Sequence, residues 1–591
     1  MNGGLYRSAH AARDGDPPPA DGVTLISVDT QLPGAAAAGD QALPPEELPP
    51  AGPDAEGAAS TAGNSAIMAA GSLVSRLIGF VRNALIGMTL GAGIGDAYTS
   101  AQFLPGQIYE LLLGGILSSV LIPLLVRRRK ADPDGGQAYT QKLLTFAVVG
   151  LGIATLLMVA AAPLITALQA TKGTEQYQHL VTLFAYLILP IIFFTGLSAL
   201  IGAVLNVRGH FAAPMWAPIL NNLVVIATCG VFIAVFGTAK GLAPEDMTPG
   251  QILLIGGGTL LGMVAQAAGL LPALRRVGFV WKWRWDPRGL GLREIGKLAG
   301  WMLCYVAANQ IAVFVVVNML NGVADNGRDA GVLIFNNVFL LTMMAHGIIG
   351  VSVMTALLPR MSAAAADGRY ADVSADLSRG IRLTATALAP IAVIYGVLAA
   401  PIAVTLFQGG AFTSQMASAT AGVLVVAAFA VLPLSISYLC TYTFYSLQGN
   451  KTAALINLPV VGIRIAAYVV LAAVLSDSLV AAGMTAGNAI SYVVSALISL
   501  VVLRRRIGRL NLGSVVGALV KVLVAAAVAA ALGLLVVHLL PGGDAPGRAA
   551  ALLQVVVGGT VIIVAYVGAA AVLRVHEVSQ VVGMVRRKLG R

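Results

Sequence analysis

Residues 72–87 read SLVSRLIGFVRNALIG, an apolar segment that, with its flanks, is long enough to cross a bilayer and yet keeps two arginines, Arg76 and Arg82. On insertion scales each arginine costs about 2.5–3.5 kcal/mol at the centre of a spanning helix. Six residues separate them, about 9 Å along a helix axis and roughly 120° around it. The two guanidiniums share no narrow stripe. They need a broad hydrated surface or separate partners.

Working outward, the chain has 591 residues, 58% of them hydrophobic and only 11% charged, with a mean hydropathy of +0.85. A soluble domain carries about 25% charged residues, so the composition predicts an all-α polytopic membrane protein. The cysteines, Cys229, Cys304 and Cys440, lie far apart in apolar stretches and read as buried free thiols, with no disulfide framework. Residues 1–63 are a different material. Rich in Ala, Pro and Gly, they carry net charge −7 and leave +18 on the remainder. Such a segment buries too little apolar surface to offset its ordering entropy, which predicts a disordered cytoplasmic tail. It lacks a basic stretch followed by an apolar one, so the first span itself acts as the targeting signal.

At about 20 apolar residues per crossing, the rest divides into fourteen spans, from 65–89 to 549–574. The loops test that count. Alternate loops carry Arg127 to Lys130, Arg208, Arg275 to Arg293, Arg360 and Arg369, Lys451, and Arg504 to Arg509, whereas the intervening ones hold only Lys172, Lys240, Arg328 and Arg548. By the positive-inside rule both termini are cytoplasmic. WKWRWDPRGLGLREIGKLAG (281–300) interleaves Trp with Lys and Arg, which suits the anionic face of a membrane and not nucleic acid.

Two pairs of segments suggest an internal repeat. GILSSVLIPLLVRRRKADPDGG (115–136) is echoed by GIIGVSVMTALLPRMSAAAADGR (347–369), and LNVRGHFAAPMWAPILNNL (205–223) by LQGNKTAALINLPVVGIRI (447–465). The predicted organisation is a tail (1–63), an N-lobe of six spans (64–280), an interfacial linker (281–300), a C-lobe of six spans (301–510), two further spans (511–575) and a basic cytoplasmic tail (576–591).

Ionisable residues inside the spans are few: Arg76, Arg82, Glu110, Arg464 and Lys521, with Asp96 at the outer end of the first hairpin. Lys521 lies near a span end and can snorkel. Arg464 either lines a cavity in the second half or pairs with a helix carbonyl. Glu110, in YELLLGG, can neutralise one of the first two arginines, which leaves the other over. An uncompensated guanidinium facing a bundle interior suits an anionic substrate, above all a phosphate, which it binds in bidentate fashion. Asn221, Asn222, Asn336, Asn337 and His346 either line a water-filled cavity or make helix–helix contacts. Prolines such as Pro190, Pro359, Pro390 and Pro433 mark possible bends. HExxH, GxxxxGK[ST], CxxC and GxSxG are absent from any supporting context. The expectation is a transporter and not an enzyme, without metal or cofactor, driven by membrane potential or an ion gradient.

SRLIGFVRNALIGMTLGAGIGDAY (75–98) is similar to the first-hairpin signature of the MurJ/MviN family, S-R-x-x-G-x-x-R followed by G-A-G and an Asp. FLPG (103–106) follows in place, LFQGGAFTS (406–414) resembles L-F-x-x-G-x-F-T, and FYSLQGNKTA (444–453) resembles F-Y-S-x-x-D-x-K-T-P. The likeness spans about 64–575, and the composition suggests an actinobacterial member. It implies a flippase of lipid II in the bacterial cytoplasmic membrane, working by alternating access for peptidoglycan synthesis. It also implies kinship with multidrug antiporters of the MATE type, two six-span lobes around a cationic cavity, and a lipid-tail groove at spans thirteen and fourteen. Arg76 and Arg82 fall on positions implicated in holding the pyrophosphate, with Asp96 and Glu110 gating or balancing them. Two departures stand out. QIYELL (107–112) and NNVFLLTMM (336–344) lack arginines that better-known Gram-negative members carry. Other readings are a flippase for another undecaprenyl-pyrophosphate-linked glycan, a MATE-like antiporter for cationic drugs, and a scaffold for cell-wall synthesis proteins.

Overall fold

In the computed structural model, residues 74–110, 122–171, 173–290, 292–324, 331–542 and 546–578 are described, together with Gly71. The tail 1–63, most of the basic tail and the side chain of Glu110 lie outside them. Helix α1 covers 74–90. It is followed by α2 (Gly93–Glu110), α3 (Ile122–Ala131), α4 (Gln137–Ala160), α5 (Ala162–Gln169), α6 (Glu175–Ile188), α7 (Ile191–Val207), α8 (Ala212–Phe236) and α9 (Pro249–Arg276). Then come α10 (Leu292–Ala324), α11 (Val332–Ala345), a π turn at His346–Gly350, α12 (Val351–Ala366), α13 (Tyr370–Val397) and α14 (Ala399–Phe407). The series ends with α15 (Ser414–Ser446), α16 (Asn450–Val474), α17 (Val480–Ile507), α18 (Leu512–Leu539) and α19 (Arg548–Val572). Twelve helices among the described residues, from Gln137–Ala160 onward, are long and apolar enough to cross a membrane. No strand occurs among the described residues; one isolated bridge pairs Gly409 with Phe412.

Local chemistry sets the helix ends. Thr248 opens α9 with a capping box: its hydroxyl accepts from Gln251 N, Gln251 Oε1 accepts from Thr248 N, and Pro249 follows at the first helical position. Thr174 and Thr413 cap α6 and α15 with their hydroxyls, which accept from Tyr177 N and Met416 N. The prolines do not all interrupt a helix. Pro190 does separate α6 from α7, but Pro218, Pro359, Pro390 and Pro433 stay inside continuous helices. The π turn at His346 arises instead at HGIIG, where glycines let the backbone add a residue to the turn.

Two buried clusters form in residues 86–290, one around Leu90, Tyr98, Phe184 and Phe232 and the other around Leu144, Leu205 and Leu274. Residues 292–578 supply two more, one around Leu333, Leu398 and Leu424, which also takes in Ala84 of α1, and one around Met361, Leu439 and Leu503. Cys229 and Cys440 are buried free thiols, and Cys304 is half-buried and free. Helices α18 and α19 pack together and onto α13 and α14. Tyr566 OH donates to Thr386 O at 2.9 Å, and Arg382 pairs with Glu577 at 2.6 Å.

The Trp-rich segment after α9 lies along the first turns of α4. Gln141 donates to Val280 O, Tyr139 OH to Leu290 O, and Lys142 pairs with Asp286 at 2.7 Å. The Lys142 ammonium holds the Asp286 carboxyl below its usual range. Trp283 and Trp285 stay 63% and 54% exposed, which matches an aromatic belt at a membrane interface.

Candidate functional site

Helices α1, α7, α8, α9 and α11 enclose a cavity of about 490 Å³. The α1 face supplies Arg76, Gly79, Arg82 and Asn83, and α7 supplies Ser198, Gly202 and Asn206. Prolines from α8 and Leu340, Met343 and Met344 from α11 complete the wall. The periodicity explains the pattern: Ser198, Gly202 and Asn206 recur every four residues, so one stripe of α7 faces inward. The structure thus brings Arg76 and Arg82 together on one cavity, despite their angular separation on α1.

Among the described residues, no carboxylate compensates either cation, and no ion pair involves either arginine. Arg82 Nη2 donates to Asn83 Oδ1 at 3.2 Å, while its buried Nε has no partner. Arg76 is exposed to the cavity, and its guanidinium lies over Gly347 of the π turn, where a methyl group would collide with Nη1. A buried donor without a partner costs about 1–3 kcal/mol, more when charged. An anion with several acceptor oxygens would satisfy both groups.

The other predicted residues lie elsewhere. Asp96 is fully buried, 0% exposed, and accepts from Gly331 N and Leu333 N, each at 2.7 Å. It caps α11 across the bundle, 235 positions along the chain from Gly331. The expectation that Asp96 balances the arginines therefore gives way to a role in joining the first helices to α11. It has company there. Ser100 Oγ and Tyr177 OH both donate to Asn321 Oδ1, Asn321 Nδ2 donates to Gln169 O, and Asn318 donates to Leu168 O. Ala411 N donates to Met88 O at 2.7 Å, and Gly410, with φ +55, lies so close to Met88 O that no side chain fits. These contacts form a seam between residues 74–290 and 292–578, at the opposite end of α1 from Arg76.

His346 lies in the π turn and shares a 2.9 Å hydrogen bond with Ser435 Oγ, its ring against Tyr438. Asn337 is buried with both amide atoms unpartnered, and Asn336 is half-buried one turn from Leu340; neither lines the cavity. Arg464 is held within the second half. Its Nε donates to Ser491 Oγ at 2.9 Å, its Nη1 to Asn309 Oδ1 at 3.2 Å, and its guanidinium lies over the Tyr492 ring. Sequence reasoning missed Asn83, Ser198, Asn206 and Gln266. Two polar residues eight apart with a glycine midway, in SALIGAVLN (198–206), were the available signal for α7.

Residues 86–549 match the family described as "MurJ: Lipid II flippase MurJ". A relative named "Lipid II flippase MurJ" from Burkholderia cenocepacia is 26% identical over 386 residues, covering 64% of this chain and 72% of the relative. A "Probable lipid II flippase MurJ" from Bdellovibrio bacteriovorus is 26% identical over 534 residues, covering 87% and 95%. Among solved structures, "Lipid II flippase MurJ, inward closed conformation" superposes with a TM-score of 0.67 at 17% identity, covering 89% of this chain and 99% of that one. An inward-facing multidrug resistance MATE family transporter superposes at 0.57 with 16% identity, covering 74% and 95%. At these identities the structural likeness speaks to the fold.

Proposed function

Because this chain belongs to the family of the lipid II flippase MurJ, we propose that it carries lipid II from the inner to the outer leaflet of the bacterial cytoplasmic membrane for peptidoglycan synthesis. The observation that carries this reading is the pair Arg76 and Arg82 on one cavity of about 490 Å³, with no carboxylate among the described residues that line it. A diphosphate supplies acceptors to both guanidiniums and cancels their charge in a low-dielectric site. A transporter of cationic drugs would want the opposite sign. A flippase for another diphosphate-linked glycan uses the same arginines and differs only in the headgroup.

In this reading the chain crosses the membrane fourteen times, as two six-helix lobes plus α18 and α19, with both termini cytoplasmic. The seam of Asp96, Asn318 and Asn321 then closes the outer side, and the cavity is reached from the inside. Alternating access opens the seam and shuts the mouth. The membrane potential is a sufficient drive, since one charge moved through 100 mV is worth about 2.3 kcal/mol. No bond in the substrate is made or broken, so the role is transport and not catalysis.

The test is complementation in a strain depleted of the native protein, with Arg76→Ala and Arg82→Ala at wild-type protein levels. The expected result is loss of growth and accumulation of lipid II in the inner leaflet. Growth with normal flipping in both variants would remove the cavity from the mechanism.

A further inference from the structure

Resting on that reading, we infer that the cavity contains a second, uncharged subsite, formed by Ser198 and Asn206 of α7 with Gln266 of α9, which takes the sugar portion of the diphosphate-linked headgroup. All three residues line the same cavity as the arginines. Ser198 and Asn206 are eight residues apart on one stripe of α7, about 12 Å along the axis. Both helices line this cavity, so a neutral strip of this length shares it with a cationic strip of about 9 Å on α1.

The hydrogen-bonding state of the strip selects its ligand. Ser198 Oγ accepts from Gln266 Nε2 at 3.2 Å, which leaves its own proton free to donate. Asn206 Oδ1 is buried in the wall and has no donor. A rotation of the amide presents that oxygen to a ligand O–H or N–H. No member of the strip is charged, so the strip does not compete with the guanidiniums for phosphate, but it suits sugar hydroxyls and acetamido groups. Gly202, between the two polar residues, keeps the wall free of a side chain. Met343 and Met344 across the cavity supply a soft apolar surface for the C–H faces of a pyranose.

The experiment compares two probes, lipid II and bare undecaprenyl diphosphate, binding to the full-length protein in nanodiscs. Asn206→Ala and Gln266→Ala are each expected to weaken lipid II binding about fivefold, the effect of one neutral hydrogen bond. Binding of undecaprenyl diphosphate stays unchanged in both, which also reports that the variants are folded. Arg82→Ala weakens both lipids. Loss of affinity for both lipids alike, or for neither, in the Asn206 and Gln266 variants overturns the subsite, while the Arg82 result still supports the diphosphate site. If the wild type binds neither lipid, or Arg82→Ala spares both, the functional reading falls and takes the subsite with it.

Discussion

Two environments for a buried arginine can be compared within this one molecule. Arg464 is enclosed by neutral groups that accept its protons, Ser491 and Asn309, and by the Tyr492 ring. Arg82 has one weak amide contact and a buried Nε with no partner, in the wall of a cavity. The first is complete as it stands. The second is left open beside a void, which is the feature that the proposed diphosphate site rests on. Burial alone does not separate structural from functional charges inside a membrane; the state of their hydrogen bonds does.

The comparison predicts opposite phenotypes. Arg82→Ala should slow flipping by about a hundredfold, the loss of two charge-assisted hydrogen bonds, while thermal stability holds or rises because an unpaired cation has gone. Flipping in proteoliposomes alongside a melting curve tests both halves of that statement. A smaller version of the same loss comes from Gly347→Val. The added side chain collides with the Arg76 guanidinium and should reduce flipping about tenfold by moving one charge-assisted bond out of place. Unaltered flipping in that variant would mean that the position of Arg76 over the π turn is incidental.

Asp96→Ala tests the seam. It removes a cap worth about 1 kcal/mol, which shifts a two-state equilibrium about fivefold. With Ile94, 1% exposed beside the seam, replaced by cysteine in a background lacking native cysteines, labelling from outside should rise by that factor. Arg464→Met should lower stability by about 1–3 kcal/mol, as Ser491 and Asn309 lose their donor, yet leave affinity for undecaprenyl diphosphate unchanged. A large loss of affinity would erase the distinction between the two arginines.

The smallest effect concerns pH. Asp286 has a folded pKa below its unfolded value because Lys142 donates to it. Its contribution is therefore fully present above the unfolded pKa, about 3.9 for Asp, and is lost as pH falls through the lower folded value. The Trp281–Trp285 segment should loosen only in strong acid, and Lys142→Gln should remove that acid transition. Tryptophan fluorescence follows it.

Much of this was legible in the chain. Apolar runs of about 20 residues located the helices, and Arg76 and Arg82 announced themselves by their cost. Other features depend on distance in space. Nothing near Asp96 indicates that it caps a helix beginning at Val332, since that contact is made only once the bundle is assembled. Arg464 read the same as Arg82 because a sequence does not reveal which hydrogen bonds close. HGIIG reads as ordinary helix: its glycines permit a π turn between α11 and α12 but do not mark one. The prolines read alike in sequence, yet Pro190 interrupts a helix and Pro218, Pro359, Pro390 and Pro433 do not. Inside a bundle, neighbouring helices and side chains absorb a missing N–H without a break.

Gly410 has a practical consequence. Its backbone lies against Met88 O with φ +55 and no room for a methyl. A Gly410→Ala substitution would act as a wedge in a shut door, holding the two halves apart where they now meet. That one carbon offers structural work a means of capturing the opposite-facing conformer, obtained from the backbone alone and without touching a single group that contacts the cargo.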